Sequence, residues 1–277
     1  MILVEGGDRI LLHDEPEASE VLARRLSEEG VDIRLGQMVE RVSQNGNGFN
    51  IALSRERLGA DALLVAVGRR PDMEELALEQ AGIAFGSHGI TVDRRLRTSQ
   101  KHIYATGDCA GGHQFTHYAG WQGFMAVRNA FLPGSAKAVL DAVPWTTFTD
   151  PEVAHAGLTE AQARVRFGSG IEVSTWPMAS VDRAITSGGA SGFIKVSHNP
   201  NGTILGATVV SPRAGEMIHE WSLAIDNGLK LGSLAQSIHV YPTYSMGNMQ
   251  FAAQTRVDQL LSGLMGRLVR GLAKLGG

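Results

Sequence analysis

The 277-residue sequence holds a single cysteine, Cys109. One thiol excludes an intrachain disulfide framework and a cysteine-only metal site, no metal centre is expected, and such usage fits a reducing cytoplasm. By itself Cys109 reads as a small buried residue. A basic run is also missing: 25 Lys and Arg stand against 28 Asp and Glu, for a formal charge of −3. No electrostatic footprint for a nucleic acid partner follows from that balance. Nothing resembling a signal or transit segment precedes the first strand. With 43% hydrophobic and 19% charged residues, the chain has the composition of a soluble globular protein, and its length allows two domains.

What is present is organised around residues 101–123, KHIYATGDCAGGHQFTHYAGWQG. Ile103, Tyr104 and Ala105 read as a short buried strand that ends in a glycine turn, with Asp108 just beyond it. In open α/β sheets ligands bind past the carboxyl ends of the strands, where a carboxylate can accept hydrogen bonds from ligand hydroxyls. Gly107, Gly111 and Gly112 allow close backbone approach, and residues 119–131 continue as an apolar helix whose N-terminal amides favour an electron-rich group. An ordinary strand-to-helix turn with Asp108 as its cap is the alternative.

Residues 1–5 read as a strand ending in Glu5, followed by Gly6 and Gly7. A mononucleotide-binding unit needs a G-x-G-x-x-G turn some twenty residues upstream of such an acid, and the sequence begins at the acid. A helix is expected from Pro16, with Asp14 as its cap and Gly30 closing it. Residues 31–35 form a strand, and residues 38–58 two more around the turn 45–48. The continuous apolar run 62–67 predicts a strand buried on both faces, with Gly68 at its end; Arg69 and Arg70 are candidate phosphate ligands that read better as a solvated loop before a proline. Residues 74–81 suggest a short helix and 90–92 a strand.

A boundary is expected near residues 134–144. Beyond it, 145–149 is β-rich, DPEVAHAGLTEAQA reads as a turn and a helix capped by Thr159, and 172–177 is a strand. Residues 192–197 and 206–210 make a hairpin, 214–227 an apolar-faced helix ended by Gly228, and 234–238 the start of another. Antiparallel strands with helices make this an α+β domain.

The ATGD box at Asp108, the run DALLVAVGRRPD from Asp61 to Asp72 and the segment HVYPTYS from His239 to Ser245 resemble three successive signatures of the flavin-linked pyridine nucleotide-disulfide oxidoreductases. The resemblance covers nearly the whole chain to Arg256. It implies an α/β portion of a protein with two dinucleotide-binding domains (Rossmann-like, for FAD and NAD(P)), followed by an α+β dimerisation domain. Residues 1–72 would be part of the NAD(P)-binding domain, 73–140 the C-terminal part of the FAD-binding domain, 141–256 the dimerisation domain and 257–277 a tail. By the same resemblance Asp108 holds the ribityl chain of FAD, Gly107 and Gly68 are close-approach residues, and Phe115 and Thr116 bring backbone amides near the flavin ring. Glu5 sits where an acid binds the adenosine ribose of NAD; Arg9 nearby leaves NADP open, although a carboxylate repels a 2′-phosphate. The half that would carry the FAD glycine loop and the redox cysteine pair is not represented, and Cys109 has no partner for exchange. Weak or absent FAD retention by this chain alone is expected.

The implied function is an FAD-dependent NAD(P)H oxidoreductase: hydride passes from nicotinamide to flavin and on to a small-molecule acceptor, in a two-fold homodimer. The alternative is a truncated, catalytically silent dimerisation module; a monomeric substrate-binding domain is the alternative to the dimer. In dithiol-handling relatives an H-x-H-P-T-x-S-E pattern sends its second histidine and its glutamate to the partner's flavin site. Here Tyr241 replaces that histidine and Met246 the glutamate. A phenol, with a reference pKa of about 10, is a poor thiol base. Lipoamide and glutathione disulfide are therefore disfavoured as substrates. Mercuric reductases place tyrosine in this neighbourhood, but they need C-terminal cysteines that this sequence lacks. Tyr241 and His239 are the catalytic candidates, His239 fitting a structural hydrogen-bonding role better, and the bond between Tyr241 and Pro242 is expected to be cis.

In the tail, Val257, Leu260, Leu261, Leu264, Met265, Leu268, Leu272 and Leu275 form an apolar stripe opposite Arg267, Arg270 and Lys274. The charges argue against a spanning helix, and the stripe suits either a membrane surface or packing back onto the protein or its dimer mate. On the membrane reading the protein lies at the inner membrane surface and a quinone is a candidate acceptor. That reading predicts that deleting residues 257–277 abolishes co-sedimentation with liposomes; unchanged co-sedimentation would count against it.

Overall fold

A computed structural model describes residues 1–134, 136–140 and 143–262. The tail stripe beyond Ser262 lies outside the described residues. The chain divides into two units, one formed by Met1–Leu63 with the residues from Pro144 onward, the other by Leu64–Val143.

In the first unit, β1 (Ile2–Val4) and β2 (Asp32–Arg34) pair in parallel, joined by α1 (Pro16–Glu28). Proline opens α1 as expected, but the residue at the cap is Glu15, with no side-chain cap bond. Both acids before the helix are drawn to tertiary partners instead. Asp14 accepts a hydrogen bond from Trp145 Nε1 (2.9 Å) and Glu15 accepts one from the Glu160 amide (2.6 Å). The hairpin of β3 (Val39–Asn45) and β4 (Gly48–Leu53) forms around the expected turn, and β5 (Arg57–Ala60) adds a third strand.

The second unit departs most from the sequence reading. Residues 62–67 form no strand: Leu64 is 89% and Val67 90% exposed. A strand buried on both faces belongs to a sheet covered by packed layers on each side, and no described strand pairs with this run to bring it into one. Residues 103–105 are likewise reduced to one antiparallel bridge, between Arg97 and Tyr104. The expected helix at 74–81 contracts to a 3-10 turn, Glu74–Leu76. The strand expected at 90–92 is limited to β7 (Gly89–Ile90), paired with β6 (Phe85–Gly86). The helix α2 (Thr116–Phe131) forms, starting three residues earlier than read.

The rest of the first unit is the α+β portion. Five antiparallel strands run in the order β10-β11-β12-β9-β8: β8 (Trp145–Thr147), β9 (Glu152–Gly157), β10 (Glu172–Pro177), β11 (Phe193–His198) and β12 (Ile204–Ser211). The helices are α3 (Glu160–Phe167), α4 (Asp182–Thr186), α5 (Ala214–Asp226), α6 (Leu231–Gln236) and α7 (Met246–Ser262). Thr159 caps α3 in a reciprocal box with Gln162. α6 begins before the residues read as its start. β9 escaped the sequence reading because Ala154, His155 and Ala156 have little strand propensity; its place between β12 and β8 imposes the conformation. One face of the sheet packs Ile194, Val196 and Val209 against Met217 and Trp221 of α5 and Phe251 of α7, all fully buried.

The other face carries Lys195, 5% exposed, at the middle of β11. Its Nζ lies 3.0 Å from Glu15, 2.7 Å from Glu17 and 2.8 Å from Glu160, so it ties the starts of α1 and α3 to the sheet. Burial opposes the ammonium, but the hydrogen bonds to Glu160, Glu17 and Glu15 outweigh it and hold the group well above the usual lysine range. Removing one partner of such a cluster strands the others. The substitution Lys195→Met is expected to cost about 3–5 kcal/mol, the range for a broken buried pair, measured as a lower urea midpoint.

Candidate functional site

Asp108 sits in a 3-10 turn, Gly107–Ala110. Gly107 has φ +72°, and a Cβ there would meet that of Ala119 at 2.9 Å, so the turn approaches α2 as only glycine allows. The Gly107 amide donates to Gln122 Oε1 (2.8 Å), a buried side chain on the same α2 face as Tyr118 and Ala126. The carboxylate of Asp108 caps no helix. It lies partly exposed, 3.6 Å from Arg69 Nη1, which also donates to the Gln114 carbonyl (3.1 Å). Arg69, read as a solvated loop residue, thus reaches Asp108, and Gly68 beside it adopts φ +136°. Phe115 is the extended residue before α2 and Thr116 its first residue. The rings of His113, Phe115 and His117 lie nearly parallel, with successive centroids 6.1 and 5.3 Å apart. Gly68, Gly107, Asp108, Phe115 and Thr116 are therefore gathered in the second unit.

Glu5, in the first unit, follows β1. Its Oε1 accepts the Gly7 amide (2.8 Å), and its backbone continues the ladder by donating to the Arg34 carbonyl (2.9 Å). Arg9 does not turn toward it: Nη2 donates to the carbonyls of Leu12 and Asp14, both at 3.0 Å.

His239 and Tyr241 lie on the segment between α6 and α7. The Tyr241 to Pro242 bond is cis, as expected. Tyr241 is 63% exposed, and a hydrogen bond to Asp182 raises its phenol pKa. His239 is held on both sides: Nδ1 faces the Ser237 carbonyl at 2.9 Å, and Nε2 faces both carboxylate oxygens of Glu220 at 2.9 and 3.0 Å. Both partners accept, so the protonated ring, with an N–H on each nitrogen, is the form that satisfies both. Burial pushes the imidazolium pKa down, while the bonds to Glu220 and Ser237 raise it further, leaving it above the ordinary histidine value. Glu220 in turn accepts from Asn248 Nδ2 (2.9 Å), whose Oδ1 accepts from Trp221 Nε1 (2.8 Å). The sequence reading missed Glu220, Asn248, Arg69 and Gln122. Gln122 had a signal, a polar residue in line with Tyr118 and Ala126 at helical spacing; the others had none.

Two family models cover most of the chain. Residues 1–123 match the pyridine nucleotide-disulphide oxidoreductase model, and residues 143–250 match the dimerisation domain of the same group. The chain belongs to the pyridine nucleotide-disulphide oxidoreductase family. Among similar proteins of that family, a mercuric reductase from Bacillus cereus is 35% identical over 88% of this chain and 40% of its own length. A dihydrolipoyl dehydrogenase from Bacillus subtilis is 34% identical over 91% of this chain and 55% of its own. The chain thus spans about half the length of these relatives. Among solved structures, the HOCl-induced flavoprotein disulfide reductase RclA from Escherichia coli superposes with a TM-score of 0.84 at 31% identity, covering 91% of this chain and 58% of that one. LpdA from Mycobacterium tuberculosis gives 0.85 at 29% identity, covering 92% and 56%.

The contacts of His239 set a pH dependence. A histidine whose folded pKa is raised stabilises fully below its unfolded value of about 6.5, and that contribution is lost as pH rises through the folded value. Stability is therefore expected to fall over that interval, and Glu220→Gln to remove the slope and return the His239 pKa, read by NMR, toward the ordinary value.

Proposed function

We propose that the chain contributes to an FAD-dependent NAD(P)H oxidoreductase in which hydride passes from nicotinamide to flavin and on to a small-molecule acceptor. The observation that carries this reading is the turn at Asp108, a carboxylate offered beside a positive-φ glycine and locked onto α2 by Gln122. Asp108 would hold the ribityl chain, with Gly107 and Gly68 admitting it closely and Phe115 and Thr116 offering amides to the ring. Glu5 would take the adenosine ribose of NAD, a choice favoured over NADP by the engagement of Arg9 with carbonyls. Tyr241 is the group through which the acceptor would be met, with His239 fixing the segment that bears it. The fit to the flavin is partial. No G-x-G-x-x-G loop for its pyrophosphate occurs in the sequence, and no second cysteine accompanies Cys109. No step through the flavin is therefore assigned to this chain's side chains. The matched dimerisation model supports a homodimer, and the exposure of Ile238 and Val240 beside Tyr241 supplies apolar surface for it. A quinone is the acceptor to test first if the tail reaches lipid.

The second reading is a catalytically silent dimerisation module, favoured by the exposure of Leu64, Val65 and Val67. These side chains belong to a run whose composition asks for cover on both faces, and among the described residues they find little.

An absorption spectrum of the purified, folded chain with FAD and then NADH separates the two. Flavin bands that survive desalting and bleach with NADH support the oxidoreductase on this polypeptide; a colourless dimer on gel filtration supports the module. In the first case Asp108→Ala should weaken flavin retention about tenfold or more, as loss of a charge-assisted hydrogen bond does.

A further inference from the structure

The loop between β11 and β12 folds over the start of α6. Gly202 donates to the Asn199 carbonyl (2.8 Å), Thr203 to Asn201 Oδ1 (3.0 Å) and Leu231 to the Gly202 carbonyl (2.9 Å). The hairpin tip is thereby fastened to the residue that opens α6. Leu231 and Leu234 of α6 and Phe251 of α7 are buried in the same core, so the elements on either side are anchored. Between them lies a cleft of about 270 Å³ lined by Lys230 and Arg256, together with the amide and hydroxyl groups of Asn201, Ser233 and Gln236. No carboxylate lines it. Neither Lys230 nor Arg256 makes an ion pair with a described residue. Gln259, also on the wall, donates to Glu172 (3.1 Å), so that neighbouring acid is already engaged.

We propose that this cleft binds a small phosphate-bearing anion. A guanidinium offers paired donors in a fixed fork and an ammonium a compact charge, and together they match a phosphate's several acceptor oxygens. Asn201 Oδ1 is occupied by the Thr203 amide, which leaves its Nδ2 as a further donor. The volume of about 270 Å³ falls just below the usual range of ligand sites, about 300–1,000 Å³, which suits a phosphomonoester rather than a dinucleotide. Because the whole chain carries a formal charge of −3, the attraction is local to these two side chains. The site is built from residues of the α+β portion and does not depend on the flavin reading.

The test is an NMR titration of the full chain with inorganic phosphate and with glycerol phosphate, following the amides of Gly202, Gly232 and Ser233. Saturable shifts at these amides are expected, with affinity lowered about tenfold or more in the double variant K230Q/R256Q, since each substitution removes a charge-assisted contact. Both side chains are exposed, and the single variants K230Q and R256Q provide the same comparison should the double variant not fold. A parallel arm uses vesicles of phosphatidylcholine with and without phosphatidic acid. Saturation by soluble glycerol phosphate assigns a free ligand; shifts with phosphatidic acid vesicles alone assign a lipid headgroup. No saturable shift in either arm, or shifts undiminished in the charge-removal variants, would overturn the proposal.

Discussion

The first unit depends on a single ammonium. Lys195 enters a sheet whose neighbouring positions, Ile194 and Val196, belong to the apolar core, and an unpaired charge there would be prohibitive. Its three carboxylates come from separate stretches: Glu15 and Glu17 at the start of α1, and Glu160 at the start of α3. The bonds to Lys195 are the first cause that holds the Glu160 carboxyl below its usual range, with Arg164 adding to them. Glu15 also receives the Glu160 amide, so the acids are satisfied by each other's surroundings as well as by the lysine. A segment of the first 63 residues and a segment beyond 144 thereby become one unit. The cost of burying the charge favours the arrangement in which all three acids reach it.

Two histidines show how neighbours shift the same residue type in opposite directions. His155 is buried in β9, with Thr208 Oγ1 at 2.7 Å from Nδ1, the Gly157 carbonyl at 3.1 Å from Nε2 and the Trp145 ring at 4.4 Å. A hydroxyl can donate to one nitrogen while the other donates to the carbonyl, so the neutral ring is fully satisfied, and burial pushes its pKa down to about 4. His239 has two acceptors and no donor facing it, which only the imidazolium satisfies. Its charge then anchors Ser237 and Glu220, and through Asn248 and Trp221 connects an exposed segment to the core. A ring with both nitrogens committed has no lone pair for a substrate, which supports the positioning role proposed for His239 and leaves Tyr241 as the exposed group.

Where pattern and packing agreed, the sequence was a good guide. The strand β10, the hairpin of β11 and β12, the cap at Thr159 and the helix α5 all stand where turn chemistry and apolar spacing put them, because each is decided by local preference and one buried face. β9 was missed because its central position supplies what Ala154 and Ala156 do not. The cap of α1 was misplaced by one residue because Asp14 and Glu15 were claimed by Trp145, Glu160 and Lys195, partners more than a hundred residues away and invisible to any local rule. Of the candidate site, the glycine turn and its acid were legible as a motif. The partners that hold them were less so: nothing local ties Arg69 to Asp108, and Gln122 shows only as a polar residue on the helical face of Tyr118 and Ala126.

The turn at Asp108 follows a stretch read as a strand, yet residues 103–105 make only a bridge and residues 62–67 no ladder among the described residues. What holds it is the helix that follows. Gly107 gives its amide to Gln122 and lies against Ala119, while Gly89 packs so closely on the backbone of Cys109 and Gly111 that a side chain there would collide. These contacts fix the backbone on one side through α2 and on the other through β7, independently of any sheet. The carboxylate itself is fixed less firmly, by one guanidinium at 3.6 Å that is itself exposed. A group placed on a rigid turn but loosely paired can exchange Arg69 for ligand hydroxyls at little cost, because a surface ion pair contributes about 0–1 kcal/mol. A rigid turn that bears a weakly paired acid is the combination on which the ligand role proposed for Asp108 rests.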